Sequence, residues 1–349
     1  MKKIFIVSLI AICLLSISLV AANKAMKESG IKAVVLKENL YRLEGTQGGN
    51  VAFLVTAKGV LVVDSGTSLA EGAQIVKAIR KVTPQPIRYI VLTHFHGDHT
   101  MGLPVFPETA LVIGQHNVAR NIKENNIPRM QKYVESELPA DILKLKENVE
   151  KLKKAKSPEL AKAREELKNT EQKLAAMKTM KLRLPDQTFA CSMIINLGGE
   201  AIHLIYPGPA HTNDNILVLF PKQKTVHMGD MFFHESLPYI DFQNGASTAN
   251  WLKQLTKVQS WDVTTVIPGH GPLSDKDSLK KQIAYLTFLR QAVTNELLKG
   301  SGLETMKSAI VLPDEFKNWR NQGSFSRNIE AVYREMTTPV QEKKEGPMQ

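Results

Sequence analysis

Residues Thr93 to Thr100 read THFHGDHT, so His94, His96, Asp98 and His99 stand within six positions. Three imidazoles and a carboxylate this close together have few uses other than holding metal. Neutral imidazole and ionised carboxylate are good ligands for zinc and similar divalent ions. Gly97 gives the backbone freedom to turn, so that neighbours on both sides can face one point. Other residues of the same chemistry are scattered along the chain: Asp64 in VVDSG, His211 in PGPAHTND, Asp230 in HMGD and His270 in IPGHG. Gly208 precedes His211, and Gly269 and Gly271 flank His270, which frees the backbone there for close approach. His116 and His234 lack such a setting. Any one of these histidines alone is more often packed or surface-exposed than a ligand; all of them together, in this order, are hard to attribute to accident.

The elements around these residues explain how they could meet. Ile87 to Thr93 (IRYIVLT) is apolar and β-branched, a buried strand that ends where the ligands begin. Strand ends in α/β proteins are where sites are built. Asp64, His211, Asp230 and His270 each follow a strand-like run in the same way, so all can converge on one edge. Residues 51–55 and 60–64 read as a hairpin turning at Lys58-Gly59. Leu69 to Val82 is an amphipathic helix, and Ala110 to Ile113 a further strand. A second series follows: strands at 194–197, 201–206, 215–220, 225–227 and 264–267, and helices at 248–260 and 275–299, the last stopped by Gly300. Two strand-rich halves with flanking helices predict two stacked sheets with helices on both outer faces.

Between the halves, residues 141–180 are rich in Lys and Glu and lack aromatics. Apolar residues recur at a spacing of three to four on both sides of Ser157-Pro158, which suits an N-cap and first helical position. This predicts an antiparallel helical hairpin inserted at about 117–183. Its plain role is a solvated surface; its sharper roles are a lid or an arm that docks a protein partner.

At the N-terminus, Lys2 and Lys3 precede an apolar run from Ile4 to Val20, and Val20-Ala21-Ala22 offers small residues for cleavage. Residues 1–22 therefore read as a signal peptide, with a periplasmic or secreted destination. Residues 23–337 would form the folded body, with no later membrane span, and 338–349 a polar, disordered tail. With Cys13 in the leader, Cys191 is left without an internal disulfide partner. Its strand-like setting, TFACSMIINL, predicts buried packing. The net charge is +11, but aromatics are only 6% of the chain and no basic–aromatic interleaving occurs. A solvated basic surface fits better than a nucleic-acid partner.

The order HFHGDH, then His211, Asp230 and His270, resembles the metallo-β-lactamase superfamily, whose pattern is H-x-H-x-D-H, a lone His, an Asp (or Cys or Ser) and a late His in a Gly-rich turn. The resemblance spans most of residues 33–300 outside the helical insertion. It implies an αββα sandwich and two zinc ions per chain. His94, His96 and His211 would hold one ion, Asp98, His99 and His270 the other, and Asp230 would bridge them. Asp64 would stand behind the ligands and orient their loop through a hydrogen bond. Such ions, about 3.5–4 Å apart, share a water and supply hydroxide at neutral pH, with Asp98 also orienting it.

The expected function is hydrolysis of an ester, thioester, lactone or lactam bond in a small molecule. A carboxylate at Asp230 resembles the glyoxalase II, lactonase and general hydrolase branches; the main zinc β-lactamases have Cys or Ser there. A class B-like β-lactamase is the alternative among enzymes. A metal-binding or scaffold protein without catalysis is the alternative of another class, and decayed members of that kind lose ligands, whereas this chain keeps all seven. The segment from Met231 to Phe242 either lines the pocket or packs the core.

Overall fold

A computed structural model describes residues 30–338. The leader read at 1–22 and all but Thr338 of the tail read at 338–349 lie outside the described residues. The described residues form two β-sheets. The first carries seven strands in sequence order: β1 (Lys32–Lys37), β2 (Leu40–Glu44), β3 (Ala52–Thr56), β4 (Gly59–Val63), β5 (Ile87–Val91), β6 (Leu111–Gln115) and β7 (Gln187–Phe189). The second carries β8 (Ser192–Leu197), β9 (Glu200–Ile205), β10 (Leu217–Phe220), β11 (Thr225–His227) and β12 (Thr265–Ile267), ordered β12-β11-β10-β9-β8.

Side-chain alternation builds the layers. In β4, Val60 and Val62 point to one core and Leu61 and Val63 to another. In β3, Phe53 and Leu54 divide the same way, and in β10 Leu217 and Val218 point to opposite faces. Strands buried on both faces read as continuous apolar runs, as GVLVV does. Three cores result. One lies between the sheets, one under helix α1 (Leu69–Val82), and one under the C-terminal helices. That is the expected αββα order.

α1 begins where expected. The Ser68 hydroxyl accepts from the Glu71 N–H, and Glu71 in turn accepts from the Thr67 N–H at 2.7 Å. The predicted hairpin pairs β3 with β4, Ala52 opposite Val63 and Thr56 opposite Gly59. β4 runs parallel to β5, and β11 runs parallel to β12, with His227 opposite Ile267. Parallel neighbours end on the same side, so the loops after Val63, Val91, His227 and Ile267 leave one common edge.

Helices α2 (Gly97–Thr100) and α3 (His116–Asn121) follow β5 and β6. From α3 the chain stays helical through α4 (Ile127–Lys132) and α5 (Leu138–Lys154), then returns along α6 (Leu160–Thr179). α5 and α6 are the predicted hairpin. Two five-residue π turns, 122–126 and 133–137, separate α3, α4 and α5. Each stands just before a proline, Pro128 or Pro139, at the start of the next segment. Proline offers no N–H to the fourth residue back, and its ring crowds that carbonyl. The widened turn absorbs the misfit: Ile127 and Leu138 donate five residues back, to Ile122 and Tyr133.

α7 (Thr248–Gln259) and α8 (Leu279–Leu298) match the expected helices, with Gly300 left-handed at φ 76 after α8. The β1–β2 hairpin, and α9 (Leu303–Ala309) and α10 (Phe325–Thr337), add to the predicted set. One expectation fails. Cys191 is exposed, not packed. TFACSMIINL is not one strand: it contains the end of β7, the crossing between sheets and the start of β8, and Cys191 sits at the crossing.

Candidate metal centre

The opening motif leaves β5 and immediately becomes two facing groups. His94 and His96 precede α2, and Asp98 and His99 lie within it. One helical turn after an extended residue is what divides neighbours in sequence between two directions. Gly97 is not the cause. It lacks the positive φ found at Gly208 and Gly271, and a Cβ there would meet only Met101, with Cγ at 3.2 Å. Glycine is needed elsewhere. A Cβ on Gly269 would stand 2.0 Å from Asp230 Oδ1, and one on Gly49 would stand 2.1 Å from His99 Cε1.

All seven expected side chains meet at the common strand edge. Two clusters of potential donor atoms form: His94, His96, His211 and Asp230, and beside them Asp98, His99 and His270, each with its atoms within 4.8 Å of one another. Asp230 joins them. Its Oδ2 lies 3.5 Å from His211 Nε2 and 3.8 Å from His94 Nε2. Its Oδ1 lies 3.2 Å from His99 Nε2 and 3.4 Å from His270 Nε2. His211 Nε2 is 3.0 Å from His96 Nδ1, and Asp98 Oδ2 is 3.0 Å from His270 Nε2. Four ligands at a zinc-like bond length would stand roughly 3.3 Å apart around a tetrahedral ion. His94 Nε2, His99 Nε2 and Asp230 Oδ1 are buried without a hydrogen-bond partner. Buried polar atoms are ordinarily satisfied, so three orphans aimed at two common points fit a pair of cations.

The opposite side of each imidazole is held. His94 Nδ1 faces Thr93 Oγ1 at 3.1 Å, and His211 Nδ1 faces the Tyr239 carbonyl at 2.7 Å. His96 presents Nδ1 inward because its Nε2 faces Asp241 Oδ2 at 2.9 Å. His99 Nδ1 faces Asp64 Oδ2 at 2.8 Å. Asp64 also accepts from Thr93 N–H and Thr93 Oγ1, both at 2.8 Å. It does so from a left-handed backbone, φ 65, a strained setting for an aspartate at the end of β4. These partners set which nitrogen is free to coordinate.

Three positioning residues were not foreseen. Asp241 orients His96. Glu71 accepts from Gln47 N–H and so ties down the Gly48-Gly49 loop that packs on His99. Asn50 clamps the His270 turn, its Nδ2 donating to Pro268 O at 2.8 Å and Gly271 O at 2.9 Å. The Gly-Gly-Asn run before β3 was the available signal. His227, buried, faces the Asn50 carbonyl at 3.0 Å and supports that loop. His116 is exposed at the start of α3, and His234 faces the Pro272 carbonyl; neither joins the two clusters.

Burial and charge prepare the clusters differently. Burial lowers His94, and lowers His211 to about 4, favouring the neutral imidazole that a metal needs. Burial opposes charge on His99 and His270 too. There the carboxylates prevail: Asp98, Asp230 and Asp64 raise His99, and Asp230 and Asp98 bring His270 up to about 9. Burial also works against the ionised forms of Asp98 and Asp230, yet the facing imidazoles hold both well below the usual carboxylate range.

A cavity of about 300 Å³ opens onto the centre. His96, Asp98, Asp230 and His270 form its floor, and Phe233, Ser236, Tyr239, Arg320 and Asn321 its walls. The segment from Met231 to Phe242 therefore does both things expected of it. Phe233, Ser236 and Tyr239 line the cavity; Met231, Phe232, Leu237 and Ile240 are core.

Comparison with known proteins adds the following. Residues 45–270 match the sequence model of the Metallo-beta-lactamase superfamily. A linear primary-alkylsulfatase of Pseudomonas sp. is 19% identical over 294 residues, covering 79% of this chain and 53% of the relative. A metallo-beta-lactamase type 2 of Elizabethkingia meningoseptica is 21% identical over 271 residues, 75% of this chain and 87% of the relative. Among solved structures, the inverting sec-alkylsulfatase Pisa1 from Pseudomonas sp. superposes with a TM-score of 0.64 at 15% identity, covering 88% of this chain and 50% of that one. The chain thus spans about half the length of the alkylsulfatases it matches.

Proposed function

Because the chain belongs to the metallo-beta-lactamase superfamily through residues 45–270, we propose that it is an exported hydrolase that uses two zinc ions to cleave an ester-like bond of a small molecule. The observation that carries this reading is Asp230, buried between the two clusters with one oxygen toward each. In this reading His94, His96 and His211 would hold one ion and Asp98, His99 and His270 the other, with Asp230 placed to serve both. Such ions, when bound, make water a nucleophile at neutral pH and offset charge that develops on the attacked oxygen.

The protein's own groups supply orientation. Asp98 is the more open of the two acids, its side chain 35% exposed against 5% for Asp230. It faces the cavity and stays ionised, which suits it to accept a hydrogen bond from water and aim it. Burial and Asp241 raise the Tyr239 hydroxyl, so it remains a phenol and a donor at neutral pH. The buried backing of His94, His99 and His211 prevents the ligand set from rearranging as substrate enters. The leader read at 1–22 supports export; the insertion at 117–183 belongs to the same body, 23–337, with a docked protein partner as its sharper role.

The bond broken is an ester, thioester, lactone or lactam. A second reading, a sulfate ester, is favoured by the likeness to alkylsulfatases, which reaches beyond the 45–270 match to most of the chain. The test is a hydrolysis panel on purified protein with a carboxylic ester, a thioester, a lactone, a cephalosporin, an alkyl sulfate and a phosphodiester, alongside elemental analysis. About two zinc per chain, and turnover lost with a chelator and restored by zinc, are expected. A stable protein that takes up no metal would sink the proposal.

A further inference from the structure

One wall of the cavity is built by residues beyond the superfamily match. The chain at 319–321 is pinned against the segment that follows Asp230: Arg320 N–H donates to Glu235 O at 2.9 Å, and Leu237 N–H donates to Arg320 O at 3.0 Å. The guanidinium is thereby placed at the cavity beside His270. Its Nη2 donates to His234 O at 3.1 Å and lies over Gly271, where an added Cβ would be 2.8 Å away. Among the described residues no carboxylate lies within ion-pair distance of Arg320, whereas Arg290 and Arg334 of the nearby helices pair with Glu335 and Glu330. A guanidinium has five donors in a planar fork, and the structure assigns one of them to a protein acceptor.

The rim has the same sign. The Arg327 guanidinium lies 5.9 Å from the centre of the Tyr239 ring and likewise makes no ion pair among the described residues. Arg129, from α4 in the helical insertion, is near enough to act on the Tyr239 hydroxyl with Arg327, both opposing the burial and Asp241 that raise it. The acids of the floor, and Asp241 behind it, are not available to these arginines. Asp98 and Asp230 face His99 and His270, and Asp241 faces His96. An arginine with open donors at a pocket wall is the usual means of recognising a planar oxyanion.

We propose that the substrate is anionic: it carries a carboxylate or similar oxyanion, held by Arg320, on the side away from the bond that is broken at the metal centre. This rests on the hydrolase reading above and adds the substrate's charge class to it. Arg320 is a specificity-determining residue, with Arg327 and Arg129 drawing anions to the rim. A cavity of about 300 Å³ limits the substrate to a small molecule.

The test uses the full zinc-loaded protein and a matched pair of substrates: the mono-p-nitrophenyl ester of glutaric acid, with a free carboxylate, and its methyl ester, without charge. The wild type is expected to favour the anionic ester by about tenfold to a hundredfold in kcat/KM, the range a charge-assisted hydrogen bond supports. Arg320→Ala should collapse that ratio toward one, chiefly through KM, and Arg320→Lys should restore part of it. A residue that only braces the His270 turn would lower both substrates in proportion and leave the ratio standing. That result, or no preference in the wild type, overturns the proposal. Glutarate binding by calorimetry supplies a readout independent of turnover. If neither ester is cleaved, the ester reading fails, and glutarate alone decides this one: tenfold weaker binding to Arg320→Ala upholds it, and equal binding overturns it.

Discussion

Replacing Asp64 with Asn should cost the protein one metal ion and spare the other. The substitution keeps size, and Asn tolerates the left-handed backbone at φ 65. What changes is the direction of one hydrogen bond. Asp64 Oδ1 accepts from the Thr93 backbone N–H at 2.8 Å, so the amide nitrogen cannot occupy that side. It must take the place of Oδ2, which faces Thr93 Oγ1 and His99 Nδ1, each at 2.8 Å. Thr93 Oγ1 can accept from it and still accept from His94 Nδ1, so the triad of His94, His96 and His211 is undisturbed. His99 is not so free. To avoid two N–H groups facing each other, its Nδ1 must become the acceptor and its proton must move to Nε2. That nitrogen is the orphaned atom aimed at Asp230 Oδ1, and once protonated it cannot coordinate. Loss of a partner behind a ligand costs about 10–100-fold in metal affinity, or about 1.4–2.8 kcal/mol. Zinc titration by calorimetry, with elemental analysis after dialysis, should show one ion held as in the wild type and one weakened by that factor. Two ions bound with unchanged affinity would refute the tautomer argument. Loss of both ions together would refute the separate roles of the two clusters.

Four further outcomes follow from the same geometry. Zinc loading should expel protons at pH 7, because the carboxylates hold His99 high and His270 up to about 9 in the metal-free protein; affinity at that cluster should rise with pH from neutral toward 9 and then level, as calorimetry in buffers of different ionisation enthalpy can read. The sign reverses for metal-free stability: with its folded value above an ordinary unfolded value of about 6.5, His270 contributes stability that is full below that pH and lost as pH rises through 9, which thermal melts in chelator would show. Asn50→Ala should remove two hydrogen bonds to the His270 turn and lower stability by about 1–3 kcal/mol in denaturant titration, with activity falling further than stability alone explains. Gly269→Ala should displace Asp230 and abolish paired zinc binding, whereas Gly97→Ala, whose methyl meets only the flexible Met101 side chain, should keep it; equal metal content in the two variants would count against the packing argument.

The seven candidate ligands were legible in the sequence and much of what positions them was not. His94, His96, Asp98 and His99 announce themselves because they crowd into six positions, and His211, Asp230 and His270 because each follows a strand-like run. The same regularity made β3, β4, α1 and α7 readable nearly to the residue. Asp241, Glu71 and Asn50 had no such signal. Asp241 reaches His96 from a loop 145 positions away, and Asn50 reaches Pro268 from 218 positions away. Each is an ordinary polar residue until the sheets bring it to the common edge. Asp64 lies between these cases: its strand end marked it as a ligand or a supporting group, the family resemblance implied a place behind the ligands, and only the fold shows that it faces His99. Cys191 failed for the opposite reason, since an alternating pattern looks the same whether it is one strand or the meeting of two.

The helical insertion shows how far its role depends on residues that periodicity overlooks. The apolar spacing announced α5 and α6, which project as a largely exposed pair. The root of the insertion, from His116 to Glu137, lacks that apolar spacing and is interrupted by Pro128 and Pro139, and the two π turns are what let it stay continuous. That root touches the centre. Asn126 Nδ2 donates to the Phe95 carbonyl at 2.6 Å, between His94 and His96. Asn117 Nδ2 donates to the Asn213 carbonyl at 2.9 Å, and Asn121 Nδ2 to Asp214 Oδ2 at 2.8 Å, in the loop that carries His211. Asp214 is fully buried, and burial brings its carboxyl up to about 6 despite hydrogen bonds from Thr212 and Asn121. A π turn shifts the phase of every residue after it, so the two turns also set where Asn126 and Arg129 face. Replacing Asn126 with Ala should remove its hydrogen bond to the Phe95 carbonyl while both π turns stay in place. If the insertion were only a solvated surface, that substitution would leave zinc affinity alone; if its root helps hold the His94–His96 loop, affinity at the His94, His96, His211 cluster should fall while the outer hairpin keeps its helicity by circular dichroism.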